Sequence, residues 1–158
     1  MNVFSFTFRR FLLLLVLVSP SGFALDPVYT SFISNVAISG YDPVAYFTDG
    51  AAYKGKSEFE YEWKGAKWRF YTEENKNKFV LDPEAYEPQF GGYCAYAIGL
   101  GKSASSDPSQ FTIVNGKLYL NYNSRTKILW AKEQEKFISQ AEQNWPKLIA
   151  EDLSLIHI

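Results

Sequence analysis

Glu58-Phe59-Glu60-Tyr61-Glu62-Trp63-Lys64-Gly65-Ala66-Lys67-Trp68-Arg69-Phe70-Tyr71 alternates charged and aromatic residues on both sides of Lys64-Gly65. A period of two on either side of a short turn is the pattern of a β-hairpin. A two-residue loop sets Trp63 opposite Ala66, Glu62 opposite Lys67, Tyr61 opposite Trp68, Glu60 opposite Arg69 and Phe59 opposite Phe70. One face is then apolar and the other pairs opposite charges. A slip of one residue exchanges the two faces, so the register is strongly specified. The glutamate face reads either as a solvated ladder of ion pairs or as a cation-binding strip.

Gln110 to Tyr122 carries a second hairpin signal, centred on Asn115-Gly116. Asn-Gly favours the turn in which both central residues have positive φ. The implied register pairs Val114 with Lys117, Ile113 with Leu118, Thr112 with Tyr119 and Phe111 with Leu120. Phe111, Ile113, Leu118, Leu120 and Tyr122 then face a core, and Tyr119 and Asn121 point the other way.

Helices fill the remainder. Thr72 caps one running to about Leu81, with Glu73 and Glu74 in its first turn. Asp82-Pro83 opens a short helical turn. Ser124 is placed to cap a long helix to about Gln143, with Trp130, Phe137 and Ala141 on one stripe. Asn144-Trp145-Pro146 starts another short one. Leu25 to Val36 reads as a lead-in, helical or extended. The expected fold is α+β: two hairpins, about 58–71 and 110–122, forming a small antiparallel sheet, packed with several short helices and one long C-terminal helix. No internal repeat, low-complexity tract or linker is evident, so residues 25–158 read as one domain with a core at about 36–147.

Residues 1–24 read as a secretory signal. Arg9-Arg10 flank the apolar run Phe11 to Val18, and Gly22-Phe23-Ala24 supplies small residues before a cleavage point. The run is short for a bilayer, which takes about 20 apolar residues. Cleavage would leave no stable membrane span and a periplasmic chain. Its net charge would move from −1 to −3, because Arg9 and Arg10 are the only charged residues lost. That balance offers nothing to nucleic acid. Cys94 is the one cysteine, so no internal disulfide forms. His157, the one histidine, sits in the last residues of the chain.

Phe90-Gly91-Gly92-Tyr93-Cys94-Ala95-Tyr96-Ala97 is where chemistry is expected. The glycine pair permits positive φ or a close approach. Tyr93 to Leu100 reads as a short helix, stopped near Gly99 and Gly101. Cys94 in its first turn would have its thiolate favoured by unpaired backbone N–H groups. The alternative is that Cys94 packs as a small hydrophobe. Tyr41, Asp42, Tyr46, Tyr93, Cys94, Tyr96, Tyr119 and Asn121 form the candidate ligand pocket.

Gly40-Tyr41-Asp42-Pro43-Val44-Ala45-Tyr46-Phe47, Trp63 to Phe70, Asp82-Pro83-Glu84-Ala85-Tyr86, Gly91 to Ala95 and Lys117 to Tyr122 together resemble the exported, stand-alone YHS-domain proteins, over about residues 36–147. The resemblance implies a small α+β domain and, in the wider family, metal handling through cysteines. At the matching positions this chain has Ala45 and, later, Tyr71 or Thr72. Three functions follow. The first is a periplasmic binding module for a small ligand or a soft metal ion such as copper, with Cys94 as ligand and two chains of a homodimer completing the site. The second is a protein-partner or structural module with Cys94 in the core. The third is a thiol enzyme, which lacks a nearby histidine base.

Overall fold

The structure is a computed structural model and describes residues 24–31 and 33–150. The expected signal segment, apart from Ala24, and His157 lie outside the described residues. Among the described residues no helix is long and apolar enough to cross a membrane.

The aromatic–charged alternation forms strands β1 (Lys56–Trp63) and β2 (Ala66–Phe70), paired antiparallel. Four pairs stand in the expected register, from Trp63↔Ala66 to Glu60↔Arg69. Lys64 and Gly65 both take positive φ, 49° and 72°, the turn whose twist matches the strands. Beyond Glu60 the ladder shifts, and Lys56 instead of Phe59 stands opposite Phe70. The bulge re-aims β1, and Phe59 still packs against the core. On the charged face Glu60 bridges two cations, Arg69 Nε at 3.0 Å and Lys67 Nζ at 3.4 Å. The Arg69 hydrogen bond, then Lys67, hold its carboxyl below the ordinary range. The cross-strand ion pairs of this face thus centre on Glu60, and Lys67 pairs with it instead of with Glu62 opposite.

Strands β3 (Asp107–Val114) and β4 (Lys117–Asn121) form the second hairpin, again with four pairs as read and a shift before Phe111. The hairpins remain separate two-stranded sheets and do not merge into one. Their edges are occupied by preceding segments: Val36 bridges Lys67 in parallel, and Pro88 and Cys94 bridge Leu118 and Leu120.

The helices are α1 (Ala45–Thr48), α2 (Glu73–Leu81), α3 (Pro83–Tyr86), α4 (Ala95–Gly99), α5 (Ser124–Lys132) and α6 (Gln134–Ile149). Thr72 caps α2 by accepting from Asn75 N at 3.1 Å. Asn123, not Ser124, caps α5: its Oδ1 accepts from Thr126 N at 2.9 Å, and Thr126 Oγ1 accepts from Asn123 N at 3.0 Å. That reciprocal pair satisfies two donors the helix cannot. The expected long helix breaks at Glu133, whose φ is −135°. α6 then runs through Trp145-Pro146 to Ile149, and Ala150 N closes on Pro146 O at 3.0 Å.

The chain also repeats itself structurally, a feature hidden in the sequence. The turn Lys64-Gly65 recurs 51 residues on as Asn115-Gly116, and the cap Thr72 as Asn123. The 3-10 turns Ile38–Gly40 and Gln89–Gly92 both place a residue at positive φ before a glycine at 79° or 84°. Both close with the following tyrosine N–H on a carbonyl three residues back, Tyr41 on Ile38 and Tyr93 on Phe90. The bond Asp42 N to Tyr53 O recurs as Cys94 N to Ala104 O. Lys56↔Phe70 recurs as Asp107↔Asn121. Two halves, about 36–86 and 88–137, thus share one order: turn, short helix, hairpin, capped helix, short helical turn. In the second half that last turn extends into α6.

Each half has its core. Trp68, Phe70, Phe79, Tyr46 and Ile38 centre the first; Tyr119, Trp130, Phe137, Ile98 and Ala95 centre the second. β4 joins them, sending Leu118 and Leu120 into the first core and Tyr119 into the second. A strand buried on both faces is why Tyr119 and Asn121, read as pointing away from the core, are themselves buried, while Ile113 and Tyr122 are exposed.

Candidate functional site

Gly40-Tyr41-Asp42 and Gly92-Tyr93-Cys94 stand at the same place in the two halves, where a positive-φ turn leads into a short helix beside the end of a hairpin. Strand ends and helix starts leave backbone N–H groups without partners. In the first half one carboxylate accepts from three of them. Asp42, fully buried, accepts from Val44 N at 2.8 Å and Ala45 N at 3.3 Å through Oδ1. Its Oδ2 accepts from Tyr71 N at 2.8 Å and Asn75 Nδ2 at 2.7 Å.

The second half divides the same work between two side chains. Cys94 Sγ accepts from Tyr122 N at 3.3 Å, the counterpart of Tyr71 N. Asn121 Oδ1 accepts from Tyr96 N at 3.3 Å, the counterpart of Val44 N. The Cys94 thiol lies 3.8 Å from the same Asn121 oxygen, to which it donates. Cys94 is 1% exposed. It is the residue before α4 and not in its first turn, and its side chain does not cap that helix. A helix of five residues that begins beyond the thiol does not concentrate N–H groups on it. Cys94 is therefore placed as a buried hydrogen-bonding residue of the core.

The candidate residues fall into two groups. Tyr41, Asp42 and Tyr46 belong to the first half. Tyr46 is buried and donates its hydroxyl to Pro108 O at 3.0 Å, and burial pushes its phenol far up. Tyr41 is half-buried, with Lys54 Nζ 4.7 Å from its ring centre. Tyr93, Cys94, Tyr96, Tyr119 and Asn121 belong to the second. Tyr93 stacks edge-on with Tyr29 at 5.1 Å, Tyr96 packs on Phe137 at 4.9 Å, and Tyr119 on Trp130 at 5.4 Å. Burial raises the phenols of Tyr93 and Tyr119. Asn75, Tyr71 and Tyr122 complete these networks and were not singled out in the sequence; the recurrence of Gly-Tyr followed by Asp or Cys was the available signal.

A cleft of about 330 Å³ lies elsewhere, between the first hairpin turn and α6, lined by Pro27, Lys64, Glu87, Phe90, Glu142 and Trp145. Lys64 Nζ sits 2.9 Å from Glu87 Oε1. Burial raises the Glu87 carboxyl and Lys64 opposes that rise. The folded chain therefore holds this proton more tightly than the unfolded one. The resulting stability is present below the ordinary value of 4.5 and is lost as pH rises through the raised value. Urea titrations across this range should show Glu87→Gln flattening the pH dependence of stability relative to the parent; an unchanged slope would refute the assignment.

Residues 44–89 match the model of the YHS domain. The match covers most of the first half and ends at Gln89, at the start of the second. No curated protein and no solved structure matches it. The metal sites implied by the resemblance do not fit the residues present. Ala45 is fully buried and has no donor atom, and the neighbouring Asp42 carboxylate is filled by four N–H groups. Among the described residues no three His, Cys, Asp or Glu side chains stand close enough to hold a metal ion.

Proposed function

We propose that this chain is a periplasmic binding module built on a YHS domain, that it recognises another polypeptide through its surface, and that Cys94 serves the core. The observation that carries this is the equivalence of Cys94 and Asp42. Both are sealed residues that close backbone N–H groups at a strand–helix junction, which leaves the thiol neither exposed for redox chemistry nor, among the described residues, paired with a second soft donor. The surface offers aromatic contact instead: Tyr53 and Tyr71 stack at 5.3 Å and are 43% and 46% exposed. Such side chains are enriched where proteins meet.

Native mass spectrometry of residues 25–158, purified from the periplasm and offered Cu(I), tests the reading. The expected spectrum shows no mass increment from a metal or small ligand, and none is taken up from Cu(I). A polypeptide should co-purify with the parent and with Cys94→Ser, and be lost when Tyr53 and Tyr71 are both changed to Ala. Cys94→Ser itself should cost about 1 kcal/mol, because one buried acceptor is exchanged for another of different reach. An added mass that disappears in Cys94→Ser would overturn the proposal in favour of a soft-metal site, shared between two chains if it appears only in a dimer.

A further inference from the structure

The two halves differ at one pair of facing core positions. Where the first half sets Phe70 of β2 against Phe79 of α2, with ring centres 5.2 Å apart, the second sets Asn121 of β4 and Trp130 of α5. Both replacements are fully buried. Both bring an N–H donor into a place that is wholly apolar in the first half. Asn121 Nδ2 and Trp130 Nε1 find no acceptor among the described residues. Asn121 cannot relieve this by rotating its amide. Its oxygen already accepts from Tyr96 N and from the Cys94 thiol, and the reversed amide would turn a donor onto a donor.

A buried donor left unpaired costs about 1–3 kcal/mol, and folded proteins commonly meet such groups with an internal water. Tyr119, two residues before Asn121 on the same face of β4, packs its ring 5.4 Å from that of Trp130, as Trp68 packs 5.1 Å from Phe79. The spacing of strand and helix is therefore conserved between halves, and the two donors inherit the facing positions of two rings in contact.

We propose that the second half holds a water-sized binding site between β4 and α5, in which one water molecule accepts from both Asn121 Nδ2 and Trp130 Nε1. The occupant is a small acceptor without charge, since no cationic side chain faces it among the buried residues of this core. A water there accepts with both lone pairs and completes in the second half what direct ring packing completes in the first. It also orients the Asn121 amide, whose oxygen then holds Tyr96 N and the thiol.

The test is water–protein nuclear Overhauser spectroscopy on the full chain labelled with 15N. The expected result is a cross-peak from long-lived water to the Trp130 indole proton and to the Asn121 side-chain amide protons. Trp130→Phe, which reproduces the first half at this position, should reduce the Asn121 cross-peak by at least half. Absence of the water signal at both groups in the parent chain would overturn the proposal, showing that an acceptor from the chain itself closes the site. A signal at only one group, or an Asn121 cross-peak unchanged in Trp130→Phe, would rule out a shared site. A small-molecule mass, far below that of any polypeptide, retained in the native spectrum of both the parent and Cys94→Ser and lost in Trp130→Phe would identify a different occupant and would equally defeat it.

Discussion

Asp42→Ala should destabilise the chain by about 4 kcal/mol or more, because it strands several buried donors at once. Val44 N, Ala45 N, Tyr71 N and Asn75 Nδ2 all donate to this one carboxylate, and Asp42 is 0% exposed, so water does not replace it. The four donors come from three places: the start of α1, the end of β2 and the first turn of α2. Losing the carboxylate therefore unties the junction as well as the bonds. Asp42→Asn should lie between parent and Asp42→Ala, since one oxygen remains but an amide N–H₂ now meets either the pair Val44 N and Ala45 N or the pair Tyr71 N and Asn75 Nδ2. Cys94→Ala, at the equivalent place, should cost about 1–2 kcal/mol, because it removes a single acceptor at 3.3 Å and a weak donor. Urea unfolding of the three variants checks the order. Equal losses for Asp42→Ala and Cys94→Ala would refute the division of labour described between Cys94 and Asn121.

Gly91→Ala should be comparably damaging, by about 3 kcal/mol or more, for two reasons that add. Gly91 takes φ +60°, where a side chain is strained. A Cβ there would also stand 2.1 Å from Pro27 O and 2.9 Å from Pro27 C. The obstacle is backbone, so no rotamer change relieves it. The N-terminal arm must move, breaking Tyr29 N to Gly91 O at 2.8 Å and the stacking of Tyr29 on Tyr93. Gly116→Ala is the control. Its φ is +73°, but among the described residues nothing lies within 4 Å of the added Cβ, so only the backbone cost of about 1 kcal/mol remains. Thermal unfolding of both separates crowding from conformation: a loss in Gly91→Ala no larger than in Gly116→Ala would mean that the arm does not lie where the structure places it.

Local signals in this chain were strong and accurate at short range. The alternation around Lys64-Gly65 and the Asn115-Gly116 turn determined both hairpin registers, because a two-residue turn fixes which residues face each other and the pattern fixes which face is buried. Thr72 and Asp82 declared their helices through the oxygen that a helix start requires. The bulges before Glu60 and Phe111 were not legible, since nothing local marks where a strand must bend to meet a core.

The candidate site was legible as a place and not as an arrangement. Gly91-Gly92-Tyr93-Cys94 is a positive-φ turn into a helix, as its glycines require. Whether Cys94 was exposed or sealed depended on Tyr122 and Asn121, about 27 residues away in sequence and brought to it only when β4 lies beside the turn. The repeat was hidden for the same reason. What recurs is mainly hydrogen bonds and backbone conformation, while Cys94 stands at the place of Asp42, Asn121 at that of Phe70 and Trp130 at that of Phe79. By itself the sequence determined the α+β class, the hairpins and the helix starts, because these rest on contacts between near neighbours. Only the tertiary structure decided that β4 is buried on both faces, that the two halves are equivalent, and that the one thiol closes a backbone N–H group, because each of these depends on which distant segments share a core.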